Sequence, residues 1–327
     1  MLKVGVVGAG TMGSAHSRAY AAMPDVQLVA IADIRAEAAK SLADECGARA
    51  VADLTGILAE NVDAVDICVP TPLHRTYVER CAKAGKHVVC EKPLARTLDD
   101  ARAMIDACTA AGVKLFVGQV VRFFPEYRKA RELVQGGKLG AVGTARFMRG
   151  GGFPHATDDW YASFEQSGGV ILDLMIHDFD FLRWCFGPVR RVYALTTAGR
   201  EFNRLDHALV SLRFESGVIA HVEGTWAHPA GFATRFEIAG ESGIIQHDSE
   251  QAAPVHTKLR GSGAGAGGVA VPESPLEHSP YELELRHFAD CLLYGADPVV
   301  TPEDGYEALK ISHFALESAR TGRAVTL

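Results

Sequence analysis

The sequence contains no run of about 18 apolar residues, so no helix able to span a bilayer is expected. It has no surplus of positive charge. Against 33 Lys and Arg stand 40 Asp and Glu, and the net charge of -7 gives no electrostatic footing for nucleic acid. Paired cysteine spacing is missing as well. Cys46, Cys68, Cys81, Cys90, Cys108, Cys185 and Cys291 are scattered, mostly in apolar periodic segments, which favours reduced core thiols over a disulfide framework. No Cys/His spacing suggests a metal site. The chain opens on a strand with no basic region and cleavage site ahead of it, and a cytoplasmic location is expected. No internal repeat is present. With 48% hydrophobic and 22% charged residues over 327 positions, there is enough chain for two domains, each with its own core.

What is present declares itself within thirteen residues. Leu2–Val7 reads as a short buried strand, followed by Gly8-Ala9-Gly10-Thr11-Met12-Gly13 and a helical stretch to Met23. Glycines so placed let the backbone turn sharply and bring a pyrophosphate to the helix N-terminus, where free N–H groups and the helix dipole meet negative charge. Such turns also occur without a ligand. Here, however, a second strand, Val26–Ala32, ends in Asp33, where an acidic side chain accepts hydrogen bonds from an adenosine ribose. The two features together indicate a dinucleotide site with Ile34 and Arg35 at its rim. Asp33 favours NAD, because a 2′-phosphate would meet a carboxylate; Arg35 softens that preference and keeps NADP as the alternative.

Strand and helix signals then alternate: helix 35–46, strand 64–69 ending at Pro70-Thr71-Pro72, helix 75–84, strand 86–90, helix 98–111 and strand 114–118. Units of this kind build a parallel sheet covered on both faces. Beyond about Arg122 the pattern changes. A helix at 126–135, a strand at 142–149 and one apolar helix at 169–186 precede alternating runs at 207–214, 217–226 and 234–239 joined by short turns. Short hops imply antiparallel neighbours. The expected fold is therefore α/β. A parallel-sheet domain spans 1–122, and an α+β domain with an open, largely antiparallel sheet spans 123–327. The C-terminal helices at 281–293 and 302–321 are candidates for packing back on the first domain. Gly261–Pro275 is low in complexity and reads as a mobile loop.

Two further patterns carry chemistry. Glu91-Lys92-Pro93 follows a strand ending at Cys90, and in a parallel sheet the C-terminal strand ends face the ligand crevice. An ammonium there can polarise a hydroxyl or carbonyl oxygen as charge develops. A surface lysine in a turn is the plainer reading of Lys92, and Lys-Pro raises the question of a cis peptide. On the apolar helix, Asp173, His177 and Asp180 fall at i, i+4 and i+7 and share one face, with Asp178 on another. A carboxylate beside an imidazole makes a tunable proton acceptor. A polar network tying the two domains together explains the pattern equally well.

Gly8–Gly13, then Glu91-Lys92-Pro93, then Ser167-Gly168-Gly169-Val170-Ile171-Leu172-Asp173-Leu174-Met175-Ile176-His177-Asp178-Phe179-Asp180 occur in the order of the Gfo/Idh/MocA family, which the chain resembles along nearly its full length. The resemblance implies a Rossmann domain and an NAD(P)-dependent dehydrogenase of sugars or cyclitols, oxidising a secondary alcohol on a polyhydroxylated ring. Lys92 would then be the catalytic lysine, His177 the base with Asp173 as its partner, and Asp180 a binder of substrate hydroxyls. Val69, Pro70, Thr71 and His74 resemble the cofactor-side loop, with Leu73 where the family usually has Asn. Glu91 and Gln119 join the cofactor contacts, and Arg122 and Phe123 match the segment after the last Rossmann strand, with Arg122 expected to bind substrate. Ser167 stands where a third glycine is common. His155, Trp160, Tyr161 and His228 are further pocket candidates. The resemblance also implies a homodimer or homotetramer through the C-terminal sheet, and Leu209, Val222 and Trp226 hint that both faces of that sheet are apolar. Three other readings stand beside it: a same-family enzyme of different chemistry (a C=C reductase or an NAD-dependent glycosidase), a non-catalytic NAD(P)-binding regulator, and a structural protein that assembles through its sheet.

Overall fold

The computed structural model describes residues 1–197, 206–251, 255–259 and 279–327; the stretch Gly261–Pro275 lies outside them. The chain forms two compact units. One holds Met1–Phe123 and a later segment ending at Leu309, and the other begins at Phe124 and takes in Lys310–Leu327.

The first unit is a six-stranded parallel sheet. Its strands are β1 (Leu2–Val7), β2 (Val26–Ala32), β3 (Arg49–Val51), β4 (Ala64–Ile67), β5 (His87–Glu91) and β6 (Leu115–Gly118), in spatial order β3-β2-β1-β4-β5-β6. Between them run α1 (Thr11–Ala22), α2 (Ala36–Cys46), α3 (Leu54–Ala59), α4 (His74–Lys83) and α5 (Leu98–Ala110). The strand order reverses between β1 and β4, so the loops leaving these two strands part at the switch point of the sheet, where such folds open a crevice for ligand. The short β3 and α3 carry too few periodic residues to stand out in the sequence. Two other ends move by a residue or two: β4 stops at Ile67, and α4 starts at His74.

The helix Pro280–Leu293 belongs to this first unit. Ser279 and Glu282 form a capping box at its start, the Ser279 hydroxyl accepting the Glu282 N–H and the Glu282 carboxylate accepting the Ser279 N–H. Its apolar face supplies Leu285, Phe288, Ala289 and Cys291 to the core around Val4, Val6, Tyr20 and Phe116. Phe288 stacks on Phe116 with ring centroids 4.9 Å apart. At the end of β6, the buried Arg122 donates to the Val299 carbonyl at 2.7 Å and pairs with Asp304, Nη2 to Oδ1, at 3.2 Å. Asp304 also accepts from the Thr301 N–H and hydroxyl, which closes the first turn of the helix Pro302–Thr321.

The second unit is built on an eight-stranded mixed sheet. It contains α6 (Pro125–Gln135), β7 (Val142–Gly152), α7 (Phe164–Ser167), α8 (Gly169–Asp173), α9 (Ile176–Phe186), β8 (Val189–Thr196), β9 (His207–Phe214), β10 (Ile219–Thr225), β11 (Ala227–Gly240), β12 (Gly243–Asp248), β13 (Val255–Leu259) and, at the chain end, β14 (Val325–Thr326). The order is β13-β12-β11-β7-β10-β9-β8-β14, with β7 and β10 parallel and the other pairs antiparallel. One face is buried around Tyr127, Phe147, Phe181 and Phe236. Arg149 and Asp178 are sealed into this core as an ion pair at 2.8 Å, and Arg149 also donates to the Tyr127 hydroxyl.

Two expectations change here. The single helix expected over 169–186 is broken into α8 and α9. Met175 N–H reaches back to the Val170 carbonyl, a five-residue step that widens the turn and interrupts the ideal period on which a shared face for 173, 177 and 180 was based. Val222 and Trp226 do not line the outward sheet face. Both are buried, and the alternation of β9 and β10 puts Leu209 opposite Glu223 outside and Val210 opposite Val222 inside.

The Arg122–Asp304 pair yields an acid-stability prediction. Burial alone would raise the Asp304 carboxyl, but the Arg122 charge and the Thr301 hydrogen bonds outweigh it and bring the group down to about 2. The folded state therefore holds this proton less tightly than the unfolded chain. The stabilisation is complete above roughly pH 4 and is lost as pH falls through about 2. Asp304→Asn should cost about 3 kcal/mol at neutral pH by leaving Arg122 buried without its counter-charge. Urea melts from pH 7 to 2 should also show a shallower acid decline in the variant than in the wild type.

Candidate functional site

The candidate residues form two groups, one in each unit. In the first, the glycine turn depends on the lack of side chains. Gly8 sits at φ +103, and a Cβ there would lie 2.3 Å from the Cys68 carbonyl oxygen; at Gly13 a Cβ would lie 1.8 Å from the Gly8 carbonyl oxygen. Strand and helix can approach this closely only as glycine. Gly10, by contrast, has nothing within 4 Å of its Cβ position and opens onto free space. It is also the N-cap of α1, with no side chain capping the helix and no acidic residue in the first turn. Thr11, Met12 and Gly13 thus begin a helix whose N–H groups have no side-chain cap.

At the tip of β2, Asp33 accepts the Ala9 N–H at 2.7 Å and the Arg35 N–H at 2.8 Å. The Arg35 guanidinium adds contacts of 3.1 and 3.3 Å to the two carboxylate oxygens. Burial pushes this carboxyl up, and the Arg35 and Ala9 hydrogen bonds more than offset that, so it lies below its usual range. Ile34 beside it is 83% exposed, an apolar surface with no cover among the described residues. Val69, Pro70 and Thr71 leave β4 next to the glycine turn, because Cys68 N–H pairs with the Val7 carbonyl. Glu91 ends β5 and accepts the Lys92 N–H at 2.9 Å; the Lys92–Pro93 peptide is cis. Gln119, just past β6, is fully buried, and neither atom of its amide has a hydrogen-bond partner among the described residues.

These features suit a dinucleotide. The open Gly10 and uncapped α1 fit a pyrophosphate, Asp33 fits a ribose, Ile34 can be covered by an adenine, and the Gln119 amide has a donor and an acceptor to offer. Two expected contacts have other work. His74 is buried with Nε2 2.9 Å from the Val69 carbonyl and Nδ1 3.0 and 3.2 Å from the Pro93 and Leu94 carbonyls. Its ring is wedged between the two loops, with backbone carbonyls beside both nitrogens. Arg122, expected to bind substrate, is 1% exposed and spent on Asp304 and Val299, since a buried guanidinium needs its counter-charge.

In the second unit, Ser167, Gly168 and Gly169 build the entry to α8. Both glycines are left-handed, at φ +75 and +68, and a Cβ on Gly169 would lie 2.7 Å from an Asp206 carboxylate oxygen. That space lets Asp206 accept the Val170 N–H at 2.8 Å, so a residue at the start of β9 caps the helix that ends in Asp173. Asp173 and Asp180 are buried, and His177 is half-buried, the most accessible of the three. Trp160 stacks on Tyr161 with centroids 4.0 Å apart; Tyr161 and Phe153 both meet the buried Trp226 edge-on. His155, exposed, lies 6.5 Å from the Phe153 ring, and His228 borders Gly150. Asp158 and Asp159 precede this cluster with positive φ of 59 and 50, conformations that non-glycine residues rarely hold.

Sequence reasoning missed His16, Tyr20, Asp66 and Asp206. His16 and Asp66 are buried against one another, Nδ1 to Oδ2 at 2.9 Å, and Tyr20 donates to the same oxygen at 2.9 Å. A signal was available: Asp66 is a lone carboxylate in the otherwise apolar run 64–69, and buried carboxylates need partners. His16, Asp66 and Cys68 are also the one group among the described residues whose metal-ligating atoms lie within 4.8 Å of one another. Those atoms are already hydrogen-bonded to each other at 2.9 to 3.4 Å. Asp206 gave no comparable signal, because nothing local links it to Val170.

The chain matches two family models in succession: an oxidoreductase family with an NAD-binding Rossmann fold over residues 2–119, and the GFO/IDH/MocA C-terminal domain over residues 127–246. It is 32% identical to myo-inositol 2-dehydrogenase of Thermotoga maritima, covering 100% of this chain and 98% of that one. It is 30% identical to the NAD(+)-dependent scyllo-inositol 2-dehydrogenase of Bacillus subtilis, over 100% and 96% of the two chains. Among solved structures, levoglucosan dehydrogenase in complex with NADH and levoglucosan superposes with a TM-score of 0.87 at 27% identity, over 99% of each chain. The similarity runs through both units in chain order and leaves no part of the architecture unmatched: this chain belongs to the GFO/IDH/MocA oxidoreductase family, and its first unit is that family's NAD-binding Rossmann fold.

Proposed function

We propose that the protein is an NAD-dependent dehydrogenase that oxidises a secondary alcohol of a sugar or cyclitol, inositol-like in its ring of hydroxyls. The observation that carries this reading is the glycine turn, open at Gly10 and uncapped at α1, with Asp33 held at the ribose position by Ala9 and Arg35. The full-length similarity to inositol dehydrogenases supports the substrate class. NAD, when bound, supplies the hydride acceptor. The chain's own residues do the rest. Lys92 holds the substrate oxygen with its ammonium, His177 takes the hydroxyl proton, and Asp173 orients the imidazole and stabilises its charged form. Trp160 and His155 line the substrate side in this reading, and Asp180, fully buried, acts on a ring hydroxyl only through its neighbours.

Assembly through the outward sheet face is part of the same proposal. That face carries the exposed Leu195 and Leu209 among paired charges such as Arg146–Glu237 and Arg235–Asp248, a mixture suited to a polar, specific contact with a second copy. No described helix is long and apolar enough to cross a membrane. All seven cysteines are free thiols, which fits the reducing cytoplasm we assign.

Purified protein given NAD and a panel of inositols and aldoses should raise the nicotinamide absorbance. Lys92→Met and His177→Ala should each lose about 10²-fold or more in kcat while keeping NAD affinity, and Asp173→Asn should lose less. Retained turnover in Lys92→Met would remove that lysine from the site, and NAD binding with no turnover on any panel substrate would move the regulator reading ahead. In titrations followed by nicotinamide fluorescence, NAD should bind more tightly than NADP. Asp33→Ser should narrow or reverse that gap, and Arg35→Ala should widen it by removing the cation that could meet a 2′-phosphate; equal wild-type affinities would show that Asp33 does not control the subsite. Sedimentation equilibrium at micromolar concentration should give a dimer or tetramer that Leu209→Glu weakens, and a wild-type monomer would end the assembly proposal.

A further inference from the structure

His16 is a buried titratable group with no part in the mechanism above. It lies one turn beyond Gly13 on α1 and is 1% exposed. Carboxylates stand at both ends of its ring: Asp66 Oδ2 is 2.9 Å from Nδ1, and Glu91 Oε1 is 3.2 Å from Nε2. A neutral imidazole has one N–H and would turn a lone pair toward one of these anions, so the setting selects the doubly protonated ring. Burial opposes that charge, and Cys68 and Asp66 beside Nδ1 overcome it, holding the His16 pKa well above its usual value. Asp66 is fixed in turn by the Tyr20 hydroxyl at 2.9 Å and the Cys68 thiol at 3.3 Å, which leaves the ring little freedom to rotate.

The other end of this chain of contacts is Lys92. Glu91 divides its two oxygens: Oε1 faces His16, and Oε2 accepts the Lys92 N–H at 2.9 Å. Gly118 makes room for that carboxylate, since a Cβ there would lie 3.2 Å from Oε2. The Lys92 amide nitrogen, one bond from the Cα that bears the side chain, is therefore tied to α1, the helix whose N-terminus faces the cofactor site.

We propose that His16 is a positioning residue for Lys92, acting through the Glu91 carboxylate. This rests on the reading of Lys92 as the lysine that holds the substrate oxygen. The imidazolium draws one Glu91 oxygen toward α1, the opposite oxygen then holds the Lys92 amide, and the ammonium is presented from a fixed turn. A displacement of about 1 Å at a reacting group can cost about 10²-fold in rate, so a loosened turn has a kinetic signature out of proportion to its structural size.

A double-mutant cycle on the full-length protein tests this, using NAD and the panel polyol that turns over fastest. His16→Asn and Glu91→Gln should each lower kcat by at least about tenfold, with NAD affinity in His16→Asn changed by less than about threefold. Because both act on one contact, the double variant should fall no more than about twofold below the weaker single. Losses that multiply, or a folded His16→Asn enzyme with wild-type kcat, would overturn the inference. If His16→Asn does not fold, as judged by its melt and by loss of NAD binding, Glu91→Gln decides the matter. That variant keeps the side-chain volume and removes the charge, and wild-type kcat in it would also overturn the proposal. Lys92→Met separates the two claims. Its inactivity beside an active His16→Asn refutes the positioning role alone, and its full activity refutes the underlying site.

Discussion

The first unit depends on how closely α1 approaches β1. With no Cβ at Gly13, the helix packs onto the Gly8 carbonyl at a distance that any side chain would forbid. That contact directs the helix N-terminus past the sheet edge and leaves Gly10 facing open space. It also brings the buried face of α1 onto β4 and β5, where His16 and Tyr20 find Asp66 and Glu91. An alanine at position 13 would thus do more than block a ligand. It would push the whole helix away from the two strands whose ends carry the cofactor-side loop and Lys92.

Much of this was legible in the sequence, and the reasons differ by residue. Gly8, Gly10, Gly13 and Asp33 can be read because their spacing is local: a turn and the next strand fix where each must lie. Lys92 can be read because a strand precedes it. His74 and Arg122 could be placed in the chain but not assigned a contact. Their partners, the Pro93 and Leu94 carbonyls in one case and Asp304 in the other, come from segments that only the fold brings near. The broken helix at Leu174–Met175 was hidden for a different reason. Its sequence is mostly apolar and keeps a helical period, while the break lies in a single wide backbone turn.

Buried charge recurs in both units, and each instance joins elements distant in sequence. Arg149 on β7 meets Asp178 on α9, Arg122 meets Asp304, and Asp206 reaches Val170. Such pairs are costly to desolvate and give modest net stability. Their geometry is nonetheless exacting, because an ion displaced from its partner in an apolar interior has no alternative. The capping of α8 by Asp206 illustrates this. The short helix ending in Asp173 takes its start from a strand, and the two left-handed glycines provide the clearance.

The place of the helix Pro280–Leu293 bears on how the protein can be made. Leu285, Phe288 and Ala289 are core residues of a sheet whose strands are all complete by Gly118. A ribosome that has released the Rossmann strands has therefore delivered a sheet still lacking one wall, with Phe116 and its neighbours uncovered. Synthesis at about 5–20 residues per second puts roughly 8–30 seconds between the last strand and the arrival of its cover. Throughout that interval the nascent chain presents an apolar surface to whatever else is near, so the first domain to be translated is among the last to be finished.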